Sequence, residues 1–170
     1  KIDQYPIRKY FEGFVNNYHD IKEIMKYWIV TQDKLNLDNK TKFLKTHHAL
    51  CKVDNFHFTN NDNTLATIYI VRDPRNVITS ISNYFNFNYD KAKKFMFSSS
   101  QGIIGAEKNN KNSISTLIGS WSDHYNTWTK NNKNLLIVKY ENLILNVEGE
   151  IIKIINFLEK YKKIKINDKK

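Results

Sequence analysis

The most informative segment of this sequence reads Ala66-Thr67-Ile68-Tyr69-Ile70-Val71-Arg72-Asp73-Pro74-Arg75-Asn76-Val77-Ile78-Thr79-Ser80. Its first six residues are mostly β-branched or apolar, a composition typical of a buried strand. Asp73 then suits a helix N-cap and Pro74 the first helical position, and apolar residues at helical spacing follow. The segment therefore predicts a strand that turns directly into a helix, with Arg72 at the corner.

The rest of the chain repeats this alternation of strands and helices. The apolar spacing predicts two short helices within 5–37, strands over 42–46 and 135–140, helices over 113–129 and 147–161, a loop with some helix over 87–111 and a frayed, solvated tail over 160–170. Such alternation is typical of an α/β fold with a mostly parallel sheet flanked by helices. Because no Pro- or Gly-rich linker interrupts the chain, we expect a single domain over 1–170.

Length and composition limit the class of protein. The chain has 170 residues, a formal net charge of +10, 41% hydrophobic residues and one cysteine. It is too apolar for a disordered tail, has no run of about 20 apolar residues that would span a bilayer, and cannot form an intrachain disulfide. The single Cys51 suits a reducing compartment, and we expect a cytoplasmic protein. The start at Lys1, without Met or a signal pattern, suggests that the natural chain begins further upstream.

The corner at Arg72 is a candidate anion site. Only three of the 27 basic residues are arginines, and Arg72 and Arg75 share one tetrapeptide. A helix N-terminus offers unpaired N–H groups, an arginine adds a fork of donors, and Ser80 adds a hydroxyl two turns later. Alternatively, Arg72 pairs with Asp73 or another carboxylate and Ser80 only faces solvent.

A second candidate site follows the strand predicted over 42–46. Side chains alternate along a strand, so Lys45 and His47 should lie on one side of the chain and His48 on the other. An imidazole can accept a proton from an attacking hydroxyl, and an ammonium can stabilise charge that develops during group transfer. The alternative is that His47 is a hydrogen-bonded structural residue.

Other candidates support less chemistry on pattern alone. Tyr140, at the end of its strand, could lie against a nucleobase or cap the core. His124 is expected to pack on its amphipathic helix, and His19, His57 and Cys51 receive structural interpretations. No residues stand at metal-ligand spacing, so we predict no metal site.

Together these segments resemble the cytosolic-type sulfotransferase family, whose sulfonate donor is 3′-phosphoadenosine 5′-phosphosulfate (PAPS). The matching stretches, from about Lys42 to Tyr161, are Lys45-Thr46-His47, Ile68 to Ser80, Gly119-Ser120-Trp121-Ser122-Asp123-His124 and Val138-Lys139-Tyr140-Glu141-Asn142-Leu143. The block from Arg72 to Ser80 is the most specific of them.

The resemblance implies a role for each matched residue. His47 would be the catalytic base and Lys45 would lie near the transferring sulfonate. Arg72 and Ser80 would bind the 3′-phosphate, and Tyr140 would contact the adenine. The implied fold is a three-layer architecture like that of P-loop nucleotide hydrolases, and the implied product is adenosine 3′,5′-bisphosphate (3′,5′-ADP), formed without a metal. The acceptor would be a small molecule or a carbohydrate, and no residue set selects among alcohol, phenol, amine and sugar.

Two segments of the family pattern are missing. Nothing before Lys45 resembles the Pro-Lys-Ser-Gly-Thr-Thr-Trp-like loop that wraps the 5′-phosphosulfate, since Gly13 is the only glycine there, and the closing Arg-Lys-Gly segment is also absent. The sequence therefore looks like a fragment, incomplete at its N-terminus, and we expect weak or no activity from it alone.

Two other functions compete with this interpretation. The charge of +10 is also compatible with a non-catalytic domain that binds polyanions or nucleic acid. Its lysines are spread along the chain without a nucleic-acid-binding motif, so we expect no nucleic-acid partner. A nucleotide kinase of related architecture would leave Lys45 and His47 unexplained.

Overall fold

The computed structural model describes residues 2–100, 102–103, 113–130 and 134–167, with the backbone alone over 102–103 and 162–167. Its strands are β1 (Asp3–Gln4), β2 (Leu44–Lys45), β3 (Lys52–Val53), β4 (Phe56–His57), β5 (Thr67–Val71), β6 (Gly102–Ile103), β7 (Thr116–Leu117) and β8 (Leu135–Lys139). Its helices are α1 (Arg8–Phe11), α2 (Ile21–Ile24), α3 (Trp28–Asn36), α4 (Pro74–Phe85), α5 (Tyr89–Phe97), α6 (Trp121–Lys130), α7 (Tyr140–Leu145) and α8 (Val147–Asn167), with a 3-10 turn at Met25–Tyr27. None of the helices in these ranges is long and apolar enough to cross a membrane.

The chain forms two compact units, Lys1–Asn63 with Phe97–Thr127 and Thr64–Met96 with Trp128–Lys170. The expectation of one domain over 1–170 stays a prediction. In the first unit, β1 pairs with β2 in parallel, and β3–β4 and β6–β7 are antiparallel pairs. In the second unit, β5 and β8 form a parallel ladder of five residue pairs, from Thr67 with Leu135 to Val71 with Lys139. The parallel strands and the helices between them confirm the α/β class.

The core of the first unit is aromatic and holds the segment that follows β2. Trp28 and His48 are both fully buried, and their rings meet edge to face with centroids 4.7 Å apart. Tyr5, which is also buried, donates its hydroxyl to the Trp28 carbonyl at 2.8 Å. Desolvation raises the pKa of Tyr5 to about 12, so this hydroxyl remains a donor at physiological pH.

The second unit is built around the β5–β8 ladder, in which Val138 is fully buried. The helix α4 begins as its sequence predicts: the Asp73 side chain caps it by accepting the Arg75 backbone N–H at 2.8 Å, and Pro74 occupies the first position. The helix ends at Asn86, whose left-handed backbone (φ 52°) is one that Asn tolerates better than most residues.

Several predicted elements differ from the structure. The strand predicted over 42–46 is limited to β2, and the segment 5–37 contains α1, α2 and α3 where two helices were predicted. The helix predicted over 113–129 begins only at Trp121, because residues before it bond to distant backbone groups. The Ser115 N–H donates to the Tyr18 carbonyl at 3.0 Å, and the Leu117 carbonyl accepts the Ala49 N–H at 2.8 Å. The last helix continues to Asn167 instead of fraying from Lys160. The segment 87–111 contains α5 and β6, and its residues 101 and 104–111 lie outside the described ranges.

Candidate active site

The corner between β5 and α4 has the predicted geometry. Strand β5 ends at Val71 and helix α4 starts at Pro74, so Arg72 and Asp73 form the turn. At the end of the neighbouring parallel strand, Tyr140 is the first residue of α7. The parallel register therefore brings Arg72 and Tyr140 to the same edge of the ladder.

Arg72 lies against the ring of Tyr140. Its guanidinium carbon is 4.7 Å from the ring centroid, within the range of a cation–π contact. The Nε atom of Arg72 is buried and hydrogen-bonds to no residue in the described part of the chain. A buried guanidinium N–H without an acceptor costs free energy, and an anion bound at this corner would provide one.

Asp73 does not pair with Arg72, which was the alternative left open by the sequence. Its carboxylate binds Arg75, whose side chain is 88% exposed and donates to Asp73 from Nε at 3.0 Å and from Nη2 at 2.5 Å. The Arg75 bonds lower the pKa of Asp73 to about 2, so it stays ionised as the helix cap. Asp73 thus leaves the Arg72 guanidinium without a carboxylate partner from its own turn.

A residue that sequence reasoning missed supports this corner. Glu141 accepts the backbone N–H of Asp73 at 2.9 Å through its Oε1 atom. That hydrogen bond lowers the pKa of Glu141, and the positive charge of Arg72 contributes a smaller lowering. Glu141 therefore ties the start of α7 to the turn that carries Arg72.

Ser80 lies on α4 about two turns beyond the corner. Its side chain is exposed and forms no hydrogen bond to the described residues. The structure shows no contact between Ser80 and Arg72, so their joint binding of one phosphate stays a prediction.

Lys45 and His47 lie in the first unit, directly after the β1–β2 ladder. Lys45 is paired with Gln4, and its carbonyl accepts the Tyr5 N–H at 2.9 Å. The Lys45 and His47 side chains are exposed whereas His48 is fully buried, which confirms the predicted opposite orientation of the two histidines.

The environment of His47 favours its neutral form. Partial desolvation lowers the pKa of His47 below its ordinary value of 6.5, and the positive charge of Lys45 lowers it further. A neutral imidazole at physiological pH has the lone pair that a general base needs.

Sequence reasoning gave His124 only a packing role, but the structure places it beside His47. Its Nε2 atom lies 3.3 Å from the His47 carbonyl oxygen. The only sequence signal was its position in the Gly119 to His124 segment of the resemblance. Among the described residues, no group of three or more His, Cys, Asp or Glu side chains could hold a metal ion.

The five predicted site residues fall into two sets. Lys45 and His47 adjoin in the first unit, and Arg72 and Tyr140 are in contact in the second, where Ser80 lies on α4. One set has the chemistry of a base beside a cation, and the other has that of an anion site beside an aromatic ring.

Comparison with known proteins assigns the class that these features indicate. The family model described as "Sulfotransferase domain" matches residues 8–169, so the chain belongs to the sulfotransferase domain family.

Among solved structures, the chain is similar to mouse sulfotransferase SULT7A1, whose crystal structure is a complex with PAP. The identity is 22%, the TM-score is 0.52, and the match covers 82% of this chain and 45% of that one. The match thus spans less than half the length of that solved protein. No curated protein matches the sequence.

Proposed function

We propose that this chain supplies the 3′-phosphate site and the general base of a PAPS-dependent sulfotransferase, which transfers a sulfonate group to a hydroxyl or amine acceptor. The observation that carries the proposal is Arg72: its buried Nε has no acceptor in the described chain, and its guanidinium lies on the Tyr140 ring. A 3′-phosphate would accept from the guanidinium, and Tyr140 would contact the adenine beside it.

The residues fit the donor in charge and in chemical type. The Arg72 guanidinium favours a phosphate dianion, and Ser80 offers an unused hydroxyl on α4. Asp73, one of the two carboxylates at this corner, is bound by Arg75 and so repels an incoming phosphate less than a free carboxylate would.

In the proposed reaction, His47 takes the proton of the acceptor as its oxygen or nitrogen attacks sulfur in line with the leaving group. The donor supplies the sulfonate: a new bond to sulfur forms while the bond between sulfur and the bridging oxygen breaks. Lys45 stabilises the negative charge that moves onto this oxygen. The products are the sulfonated acceptor and 3′,5′-ADP, and the proton remains on His47 until solvent removes it.

The proposal is tested by ligand selectivity. Titration calorimetry on the 170-residue chain should show tighter binding of 3′,5′-ADP than of 5′-AMP, which lacks the 3′-phosphate. Equal affinities would contradict the proposal. If a single-stranded oligonucleotide instead binds more tightly, with affinity falling steeply as salt rises, the chain is a polyanion-binding domain.

The base is tested separately. In the polypeptide that carries this sequence, His47→Ala should abolish sulfonate transfer from PAPS and leave 3′,5′-ADP binding unchanged. The matched variant is His57→Ala, which removes another exposed histidine of the same unit and should retain turnover. A His47→Ala protein with most of its rate would show that another group is the base.

A further inference from the structure

The backbone of His47 is fixed on its C-terminal side by a buried neighbour. The His48 ring stacks on Phe58, with centroids 4.0 Å apart and planes 6° from parallel, and its Nδ1 donates to the Ala49 carbonyl at 2.8 Å. The His48 backbone N–H donates to Thr46 Oγ1 at 3.0 Å, which closes a turn around His47.

The His47 carbonyl, another polar backbone group of this turn, faces His124. The distance from His124 Nε2 to this oxygen is 3.3 Å. A carbonyl oxygen can only accept, so the His124 Nε2 atom must carry the hydrogen in this contact. His124 thereby has a defined tautomer, with Nε2 protonated.

The position of His124 is set by the start of α6. Ser120 is buried and caps this helix: its hydroxyl accepts the Asp123 N–H at 3.1 Å and donates to the Asp123 carboxylate at 2.7 Å. Thr127 Oγ1 donates to the His124 carbonyl at 3.1 Å. His124 therefore projects from the first turn of a capped helix.

We propose that His124 is a positioning residue for His47, holding the peptide plane of the proposed base by donating a hydrogen bond from Nε2 to the His47 carbonyl. This inference rests on the proposed function, in which the direction of the His47 ring decides how well it meets the acceptor proton. Fixing the His47 carbonyl restricts rotation of its backbone, and with it the direction of the side chain.

The electrostatics agree with this role. Burial lowers the pKa of His124, so the ring is neutral at physiological pH, and the hydrogen bond to the His47 carbonyl offsets part of that lowering. A neutral His124 donates its N–H without placing a second positive charge, beside that of Lys45, next to the base.

The first test is spectroscopic and needs no acceptor substrate. With 15N-histidine labelling at pH 8, nitrogen shifts should show His124 in the Nε2–H tautomer, and the Nδ1–H tautomer would overturn the proposal. His124→Phe should increase the backbone mobility of His47 and His48 in NMR relaxation. His124→Gln, whose amide N–H can donate to the same carbonyl, should restore the wild-type values. Mobility that is unchanged in the Phe variant would also overturn it.

The second test separates this inference from the proposed function. In sulfonate transfer, His124→Phe should lower kcat by up to about 100-fold, as expected for a displaced reacting group, with little change in the KM for PAPS. His124→Gln should recover most of the rate. If His47→Ala abolishes turnover while His124→Phe keeps the full rate, the positioning role fails alone. If His47→Ala keeps its turnover while the NMR results hold, the proposed base fails and the contact stands.

Discussion

Replacing Arg72 gives the sharpest test of the anion site. Its guanidinium is the only part of the β5–α4 corner that has both a buried N–H without an acceptor in the described chain and an aromatic ring beneath it. A hydrogen bond to a charged group contributes about 1.5 to 3 kcal/mol. We therefore expect Arg72→Ala to weaken 3′,5′-ADP binding by roughly 10- to 150-fold, at 1.4 kcal/mol for each tenfold change.

The chain offers a matched control three residues away. Arg75→Ala removes the same charge from the same turn, but this side chain is 88% exposed and bound to Asp73, so we expect a much smaller loss of affinity than in Arg72→Ala, caused only by the Asp73 carboxylate that it uncovers. Arg72→Lys should give an intermediate affinity, because an ammonium keeps the charge but loses the planar fork that lies on Tyr140.

Calorimetry with two ligands identifies the group that Arg72 binds. If the contact is to the 3′-phosphate, Arg72→Ala should lower the affinity for 3′,5′-ADP and leave that for 5′-AMP unchanged. Loss of the stack on Tyr140 costs only about 0.5 to 1 kcal/mol of stability, so the variant should fold, which circular dichroism can check. An Arg72→Ala protein that binds 3′,5′-ADP as tightly as the wild type would refute the reasoning.

Two further predictions concern pH. The acid limb of kcat/KM should have its midpoint below pH 6.5, because burial and the charge of Lys45 lower the pKa of His47. Lys45→Met should move this midpoint upward. A wild-type midpoint above pH 6.5 would contradict the prediction. Burial lowers the pKa of His48 from 6.5 to about 4, so between these values the unfolded chain binds more protons than the folded one. Stability in urea should therefore fall by about 3 kcal/mol from pH 6.5 to pH 4. His48→Phe should flatten this dependence and His57→Gln should preserve it.

Local signals made the corner of the second unit predictable. The Asp73 cap, the Pro74 start and the strand before them depend on residues within a few positions of one another, and the structure reproduces all three. The alternation of side chains likewise predicted that His47 and His48 point in opposite directions. Where the bonding partner is near in sequence, the residue pattern contains the information.

Contacts between distant residues were not predictable in the same way. His124 is 77 positions from His47, and Glu141 is 68 positions from Asp73. No local rule connects such pairs, because only the folded chain brings them together. The same cause moved the start of α6, since Ser115 and Leu117 bond to the backbone of Tyr18 and Ala49 rather than within their own helix.

The three arginines show how geometry resolves what composition leaves open. By sequence, Arg72 and Arg75 are equivalent cations in one tetrapeptide, and Arg8 stands apart. In the structure Arg8 lies over Tyr18 at 4.2 Å, Arg75 is bound by the helix cap, and Arg72 alone has a buried N–H that no described residue accepts. The cap explains the difference: Asp73 must face the start of α4 to bind Arg75 N–H, so its carboxylate is directed to the helix side and away from the residue that precedes it. The feature that starts the helix therefore also leaves the Arg72 guanidinium without a partner from Asp73.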